Sequence, residues 1–582
     1  MLSLASGRVV LRRVLIAAVL VGILAPSASA GRVSLTPGVT YERQVWFTPH
    51  GPEVVHIMTA PKPGGLYALR PVLSNDSVQG RETVTSMQRS ASASATVGGV
   101  NADLFTWNEG LPSGMFMESG VMKTPPHPKR STVGVTDDGR LLVQRVKMLG
   151  TWQGSTQRRP LNGLNQRPGE QGVSLFTPAW GPTTPAAQGT VEVTIDPFPP
   201  ASPATDLTGT VVSVKPAGGT PIPPNGAVLV GRGTSASRLA SEAPVGQAVT
   251  ARLVLRPAWE GVVDAVGGGP LIVRDRQPVF RALESFTSSQ LSLRHPRTAI
   301  GQKADGRIIF VAIDGRQPGY STGATNFELA QTMVRLGAVT ASALDAGGST
   351  TMAFDGKLLN RPSEPERAVA DGLFVFYYGV HAPPASQRVL SPNGDGFAEV
   401  QALSYKIVRP STVTASLIGP DRIPRQTQTG QREPGIYRLG WSGRTPGGAP
   451  EPEGRWRWVI NAVDDQGQQS RVERVFYLNN TLGYLRVRPT RVVVRRRGGR
   501  LRVGFRLARR AVVTLTIETA SGARVRTIRQ TRRAGQSSIQ WNGRYANGVR
   551  AFSGLYIARV QTSNSFGVSE LERRFLVRRA RR

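Results

Sequence analysis

The sequence predicts an N-terminal region that mixes helices and strands, followed by two all-β sandwich modules. Two observations lead to this prediction. Between residues 307 and 344 an apolar β-branched run, an amphipathic helical pattern and a second apolar run follow one another, which indicates a strand, a helix and a strand. In the last third of the chain, short alternating strands separated by Gly, Pro and Asn turns recur with a period of 100 residues, which is typical of repeated sandwich modules.

The chain begins with the pattern of a secretion signal. Three arginines among the first 13 residues precede an apolar stretch at 14–25 and small residues at 28–30, the order found in signal peptides. A membrane anchor is the alternative, but the apolar stretch is short for a bilayer span. We therefore expect residues 1–30 to be removed, the mature chain to begin at Gly31 without a transmembrane anchor, and the protein to be secreted or associated with the cell surface.

The composition excludes some chemistry. The 582 residues include no Cys, so the chain has no disulfide, no thiolate nucleophile and no Cys metal site. No spacing of His or carboxylate residues is specific for a metal. We therefore predict no metal site and no cofactor, and leave a requirement for a divalent cation open.

The positive charge is concentrated at the C-terminal end. The whole chain carries a formal net charge of +34, and the segment 486–582 contains 25 Arg, no Lys and three Glu, a net charge of +22. For an exported protein the expected partners of this Arg-rich module are anionic cell-wall polymers or lipid head groups, and we expect an anionic cell-wall polymer. We expect no nucleic acid, because no aromatic platform for stacking bases is interleaved with the arginines. A solubilising face on alternating strands is the alternative.

The repeat defines the two C-terminal modules, which we place at 381–480 and 481–582. The segment Trp-x-Gly-Arg at 441–444 recurs at 541–544, and Gly454 corresponds to Gly554. On these residues the modules resemble the immunoglobulin-like modules of flagellar hook-capping proteins, and the resemblance implies a presenting or tethering role. The segment 391–396 has some features of a calcium loop, but Ala402 replaces the expected bidentate Glu, so we expect a tight turn.

The most informative segment is the one that ends the second apolar run. Asp345 follows the run directly, and Gly347, Gly348, Ser349 and Thr350 come next. Glycines let a backbone approach a ligand closely, and a carboxylate at a strand end can bind sugar hydroxyls or transfer protons.

The first apolar run also ends in a carboxylate, Asp314. The helical pattern between the two runs covers 326–338, with Thr325 and Glu328 at the offset of a capping box and Gly337 near its end. A crossover of this kind makes the two strands parallel. We therefore expect Asp314 and Asp345 to lie at one sheet edge and to face one cleft.

From about residue 54 to residue 376 the sequence resembles the phosphodiester glycosidase family. The resemblance is carried by six segments that occur in the family's order, at 100–105, 176–181, 267–271, 296–301, 313–316 and 344–349. It implies an α+β fold for a domain that we place at 31–380. It also implies hydrolysis of a sugar that is joined through its anomeric carbon to a phosphodiester.

This chemistry requires carboxylates and a basic group for the phosphate. The candidate catalytic residues are Asp345, Asp314, Arg297 and Glu328, and the candidate substrate-binding residues are Asn101, His295, Gly347, Gly348, Ser349 and Thr350. Arg297 offers a bidentate grip on phosphate, His295 a second donor or proton carrier, and Asn101 a partner for a sugar hydroxyl.

These candidates also have plainer interpretations, and the sequence does not decide between them. Asp314 can belong to a turn, Glu328 can act only as a helix cap, and Arg297 can pair with a structural carboxylate. Whether Asp314 and Asp345 act as nucleophile, base or sugar ligand also stays open.

Two positions depart from the family pattern, since Ala102 and Ala346 stand where the family has Gly. If either position has positive φ, Ala costs about 1–2 kcal/mol. The sequence therefore leaves two hypotheses. One is an exported hydrolase that acts on a phosphate-containing glycan. The other is a noncatalytic surface protein that binds or helps to assemble phosphate-containing exopolysaccharide.

Overall fold

The computed structural model describes residues 31–216 and 218–580, and the predicted signal peptide lies outside these ranges. The protein is mostly β, with 52% of residues in strands and 7% in helices. The α+β prediction therefore overestimates the helical part, because nearly every apolar run pairs into a sheet. The α-helices of the described residues are Val84–Ala91, Thr234–Glu242, Ser288–Ser292 and Asn326–Arg335. None of the helices in this part of the chain is both long and apolar enough to cross a membrane.

An eight-stranded sheet organises the N-terminal region. Its strands, in spatial order, are Val33–Thr36, Val39–Thr48, Gly51–Ala60, Ile308–Ile313, Arg297–Lys303, Ala338–Ala343, Leu271–Arg274 and Gln277–Pro278. A five-stranded sheet faces it and consists of Lys357–Leu358, Met352–Phe354, Thr96–Asn101, Asp371–Tyr377 and Tyr67–Leu73. Met58 and Phe310 of the first sheet pack with Val100 and Leu373 of the second in one buried cluster.

Three further sheets complete this region. A second eight-stranded sheet contains Arg159–Leu161, Lys147–Gln153, Ala248–Arg256, Asp206–Pro216, Thr190–Ile195, Ala227–Arg232, Val173–Phe176 and Gly163–Leu164. A five-stranded sheet contains Leu141–Arg145, Ser131–Thr136, Val262–Gly267, Phe116–Glu118 and Val121–Thr124. Ala368–Val369 and Glu82–Thr83 form a two-stranded sheet.

The predicted strand, helix and strand are present. The strands Ile308–Ile313 and Ala338–Ala343 each pair antiparallel with Arg297–Lys303, which lies between them, so they run parallel to each other without being neighbours. The helix Asn326–Arg335 has the predicted capping box of Thr325 and Glu328. It ends before Ala338, and Gly337, with φ of +91°, follows its end. Both strands therefore finish at the same edge of the sheet.

The C-terminal part of the chain forms two β-sandwiches with corresponding strand orders. In the first sandwich, one sheet contains the strands Val389–Leu390, Gln469–Leu478, Gly454–Asp464, Ser411–Ile418 and Pro424–Arg432. Its other sheet contains Gln401–Ile407 and Gly435–Trp441. In the second sandwich, one sheet contains the strands Arg491–Val494, Gly567–Arg579, Gly554–Asn564, Ala511–Thr519 and Arg524–Arg532. Its other sheet contains Leu482–Arg488, Leu501–Leu507 and Gly535–Trp541.

The repeated Trp-x-Gly-Arg segment makes the same hydrogen bond and the same kind of aromatic contact in each sandwich. The indole N–H of Trp441 donates to the carbonyl of Arg444 at 3.2 Å, and that of Trp541 donates to the carbonyl of Arg544 at 2.8 Å. Each Trp is buried against two aromatic rings of the opposite sheet. The repeat therefore marks a buried aromatic centre and the turn that closes it. The segment 391–396 is a bent loop in which Asp395 accepts from the backbone N–H of Phe397 at 2.9 Å.

Candidate functional site

A cleft opens where the strands of the first eight-stranded sheet end. It has a volume of about 140 Å³. The residues that line it include Gly269, Phe286, His295, Arg297, Arg316, Asp345 and Gly347. Four of the sequence-predicted residues, His295, Arg297, Asp345 and Gly347, therefore meet at one place.

Asp345 is the carboxylate of this cleft. It lies two residues beyond the strand Ala338–Ala343, and its backbone N–H donates to the carbonyl of Ala102 at 2.8 Å. The backbone N–H of Ala346 donates to its Oδ1 at 2.9 Å. Burial raises the pKa of Asp345 to about 6, against the opposing effects of the Ser349 hydroxyl, the Ala346 N–H and the charge of Arg367. A carboxyl with this pKa can be ionised at neutral pH and still accept a proton during a reaction.

Asn101 positions Asp345 rather than lining the cleft. Its amide Nδ2 donates to the carbonyl of Asp345 at 2.9 Å. Its Oδ1 accepts from the Thr298 hydroxyl and from the Thr351 N–H, both at 3.0 Å. The side chain is fully buried, and its contacts bind the loop after Asp345 to two strands. Asn101 therefore supports Asp345 and does not line the cleft in which we expected it to bind a sugar hydroxyl.

Arg297 brings a buried positive charge to the cleft wall. Its guanidinium donates to the carbonyls of Ala324, Gln290 and Leu293, each at 2.7 Å. Within residues 31–216 and 218–580 it forms no ion pair, so the predicted alternative of a structural carboxylate is not what the structure shows. Burial, with Arg316 nearby, lowers the pKa of Arg297 to about 10, which leaves it charged at neutral pH.

Arg316 adds a second cation that sequence reasoning missed. It lies at φ of +57° just after the strand Ile308–Ile313, and its Nη2 is 3.1 Å from Nδ1 of His295. Because a guanidinium can only donate, this ring nitrogen is the acceptor. Burial and the charges of Arg297 and Arg316 lower the pKa of His295, so the ring is neutral at pH 7. The signal for Arg316 was present in the Asp-Gly-Arg segment at 314–316.

The two glycines at 347 and 348 lie close to charged side chains. Gly347 has φ of +71°, and a Cβ there would lie 3.1 Å from Nη2 of Arg316. A Cβ on Gly348 would lie 2.1 Å from a carboxylate oxygen of Glu364 and 2.2 Å from a guanidinium nitrogen of Arg367. The glycines therefore let charged groups approach the loop from two sides.

The hydroxyls of this loop are buried. Ser349 and Thr350 are at most 1% exposed, and Arg367 approaches the Ser349 hydroxyl at 3.4 Å. The Thr350 hydroxyl has no hydrogen-bond partner among the described residues. The Ser349 hydroxyl opposes the rise in the pKa of Asp345, and neither Ser349 nor Thr350 lines the cleft.

Asp314 lies at the same sheet edge but in a different environment. It is 1% exposed. Its carboxylate bonds to His56 Nε2 and the Tyr320 hydroxyl at 2.9 Å, and to Asn360 Nδ2 and the Arg361 N–H at 3.1 Å. Both carboxylate oxygens therefore have hydrogen-bond partners, and the residue does not line the cleft. The shared cleft that we predicted for Asp314 and Asp345 therefore contains only Asp345, while Asp314 fixes the loop that carries Arg316.

Glu328 behaves as a helix cap. One carboxylate oxygen accepts from the Thr325 N–H at 2.8 Å, and the other pairs with Arg294 at 2.6 Å. Arg294 also pairs with Glu53. The cleft lining does not include Glu328, so its contacts match the plainer interpretation of this residue.

Neither Ala102 nor Ala346 is strained. Ala346 has φ of −122°, and Ala102 does not have positive φ. Both positions accept a Cβ without the conformational cost considered above, so the alanines leave the loop around Asp345 intact.

Two further carboxyls lie behind Asp345. Asp103 accepts from the N–H groups of Leu104 at 2.8 Å and Gly114 at 2.6 Å, and Asp371 accepts from the Asp103 N–H at 2.7 Å. Burial raises the pKa of Asp103 to about 7, and burial together with Asp103 raises that of Asp371 well above its ordinary value. The described residues contain no group of three or more His and carboxylate side chains arranged to hold a metal ion.

These features define a β-rich domain that can hold an anionic substrate beside a carboxylate. Residues 203–376 match the family model for phosphodiester glycosidases, and residues 493–565 match the model for FlgD Ig-like domains. The resemblance to both families is thereby confirmed over these residues. The glycosidase match includes Arg297, Arg316 and Asp345, whereas the predicted segments at 100–105 and 176–181 lie outside it.

Individual relatives cover parts of the chain. A prophage-derived uncharacterised protein of Bacillus subtilis, YomE, is 35% identical over 119 residues, which is 20% of this chain and 18% of that protein. A hypothetical protein from Synechocystis has a similar crystal structure, with a TM-score of 0.52 and 27% identity over 61% of this chain and 64% of that one. The catalytic domain of zebrafish N-acetylglucosamine-1-phosphodiester alpha-N-acetylglucosaminidase matches with a TM-score of 0.32 and 12% identity, covering 60% of this chain and 87% of that one. The chain thus spans less than two thirds of the Bacillus and Synechocystis relatives.

Proposed function

We propose that the protein is an exported hydrolase that cleaves the glycosidic bond of sugar-1-phosphodiesters in cell-surface or extracellular glycans. The observation that supports this most directly is the position of Asp345 in one cleft with Arg297 and Arg316. The substrate carries a negative phosphodiester next to an anomeric carbon that becomes positive in the transition state. A cleft with cations and a carboxylate complements both charges.

The reaction needs little acid catalysis. Water adds its hydroxyl to the anomeric carbon, the bond from that carbon to the phosphate oxygen breaks, and the phosphate leaves as a monoester. The remaining proton of the water passes to a base or to solvent. Because phosphate is a good leaving group, the cleft can act with one carboxylate where many glycosidases use two. Arg316 and Arg297 stabilise the departing charge, and ionised Asp345 stabilises the sugar cation, as nucleophile, base or electrostatic partner.

The alternative is a noncatalytic surface protein that binds or helps to assemble phosphate-containing exopolysaccharide. One observation favours it. Asp345 is the single carboxylate that lines the cleft among the described residues, and a binding site needs no second one. The two functions differ in whether bound substrate is converted to free sugar.

A panel of methyl glycosyl-phosphodiesters with different sugars, assayed with and without chelator, tests the proposal. We expect release of free sugar from at least one of them. Arg316→Gln should raise KM at least tenfold by removing a cation from the phosphate side. Arg307→Gln is the matched control, because Arg307 precedes the same strand, Ile308–Ile313, at its opposite end. Binding of a substrate by calorimetry without release of sugar favours the alternative.

A further inference from the structure

The second sandwich carries an arginine-lined groove on its three-stranded sheet. Its walls contain five arginines, and the space between them is about 670 Å³. The arginine groove is defined by Arg486, Arg488, Arg502, Arg506 and Arg532. It lies in a different domain from the cleft that contains Asp345.

The strand pattern forces four of these arginines to one face, and Arg532 joins them from the end of the strand Arg524–Arg532 of the other sheet. In Leu482–Arg488 and Leu501–Leu507 the residues between the arginines are buried, among them Leu485, Val487 and Val503. Because successive side chains of a strand point to opposite faces, the arginines project outwards together. Gly504 lies opposite Arg486 in the register. Because it has no side chain, it leaves open space at the base of the groove between the arginines.

The groove has no internal counter-charge. None of its five arginines forms an ion pair in the described chain. The three acidic residues of this module all contact one arginine of the other sheet: Arg559 pairs with Glu518, Glu570 and Glu572. The negative charge of the module is therefore held away from the groove, which presents its positive charge to solvent.

The corresponding face of the first sandwich is already covered. Lys406, which the 100-residue repeat aligns with Arg506, pairs with Asp355 at 3.2 Å and donates to the carbonyls of Ser92 at 3.1 Å and Ala95 at 3.0 Å. In the first copy this face thus contacts the N-terminal region. In the second copy the same face has a third strand, more cations and no covering segment among the described residues.

We propose that the arginine groove binds a linear phosphodiester polymer without bases, such as a glycerol phosphate chain of a cell envelope. Guanidinium forks match phosphate oxygens bidentately, and every cation of the groove is Arg. Arginines two residues apart on one strand are separated by about 7 Å, which one repeat of a flexible phosphodiester chain can span.

Neither aromatic residue that lines the groove, Tyr484 or Phe505, is available to stack bases. Phe505 is only 3% exposed. The Tyr484 hydroxyl donates to the carbonyl of Asn393 at 2.9 Å, and the guanidinium of Arg506 lies 5.8 Å from the centre of its ring. Binding of single-stranded nucleic acid depends on free aromatic faces as well as on cations. A polymer that offers phosphates alone therefore fits this surface better than DNA or RNA does.

The test compares the full chain with two triple variants of equal charge. The groove variant carries Arg486→Gln, Arg502→Gln and Arg506→Gln. The control variant carries Arg524→Gln, Arg574→Gln and Arg578→Gln. These three arginines of the five-stranded sheet are exposed and form no ion pair with the residues that the structure describes. The probe is a synthetic glycerol phosphate oligomer of about twelve units. Because it carries no sugar, its binding is independent of the proposed hydrolase activity.

We expect the groove variant to lose at least tenfold in affinity and the control variant less than threefold. The slope of log affinity against log salt should become shallower by about 2 in the groove variant only, as expected for three lost phosphate contacts. Equal losses in both variants, or no binding by the parent chain, would overturn the proposal. Tighter binding of an oligonucleotide with the same number of phosphates, or of anionic lipid vesicles, would overturn it as well. Equal melting temperatures of the two variants exclude misfolding as the cause.

Discussion

Replacing Asp345 by Asn should stabilise the protein at neutral pH while it removes activity. The pKa of this carboxyl is raised from 3.8 to about 6 by burial. Because the folded-state pKa is the higher one, the folded state holds the proton more strongly, and stability falls as the pH rises from about 4 through about 6. The difference corresponds to about 3 kcal/mol at 1.36 kcal/mol per pKa unit. Partial exposure to the cleft reduces this to about 1–2 kcal/mol.

Asn has nearly the shape of Asp, and its carbonyl oxygen can still accept the N–H of Ala346. Urea unfolding of the N-terminal region at pH 4 and pH 7.5 measures the effect. The variant and the parent should have equal stability at pH 4, and the variant should be more stable by about 1–2 kcal/mol at pH 7.5. As a control, Asp305→Asn in an exposed turn should change stability by less than about 0.5 kcal/mol at either pH. A variant that is less stable at pH 7.5, or equally shifted at both pH values, would refute the reasoning.

Three other substitutions separate structural from catalytic roles. Arg297→Met leaves the buried carbonyl of Ala324 and the partly buried carbonyls of Gln290 and Leu293 without their donor. It should lower the free energy of unfolding by about 2–4 kcal/mol, seen as a lower urea midpoint, and an unchanged midpoint would contradict these contacts. Gly347→Ala places a side chain at φ of +71° and displaces Arg316. The variant should lose about 1–2 kcal/mol of stability and have a higher KM for a glycosyl-phosphodiester. An unaltered KM would argue against Arg316 as a phosphate ligand. Glu328→Gln keeps a capping-box acceptor and loses one ion pair. Its stability should therefore fall by about 1 kcal/mol or less, and its kcat should stay within twofold of the parent value. A hundredfold loss of kcat would restore Glu328 as a catalytic residue.

Local patterns predicted the parts of the fold that local forces determine. The capping box of Thr325 and Glu328, the end of the helix near Gly337 and the two repeated sandwiches all depend on residues close together in the chain or on an exact period. The sequence did not show that the strand Arg297–Lys303 lies between the two parallel strands. The order of strands in a sheet is determined by contacts between segments that are distant in the chain. Residue propensity and hydrophobic periodicity do not predict such contacts.

The sequence predicted only those parts of the site that depend on residues close together in the chain. Asp345 and Gly347 follow an apolar run directly, so their place at a sheet edge was visible in the sequence. Asn101 also ends a strand, but its amide is used to hold Asp345, and only the fold shows which polar strand end faces the cleft. Arg316 was overlooked because a single Arg after a turn is ordinary until its loop is seen to bring it against Gly347.

The most direct test of the central claim is the release of free sugar from a methyl glycosyl-phosphodiester, compared between the parent chain and Asp345→Asn across pH 4–8. We predict that the parent releases sugar, that kcat rises as the pH passes about 6, where Asp345 ionises, and that the variant loses at least a thousandfold in kcat while it still binds the substrate. Equal turnover by the variant, or binding by the parent without any release of sugar, would contradict the account.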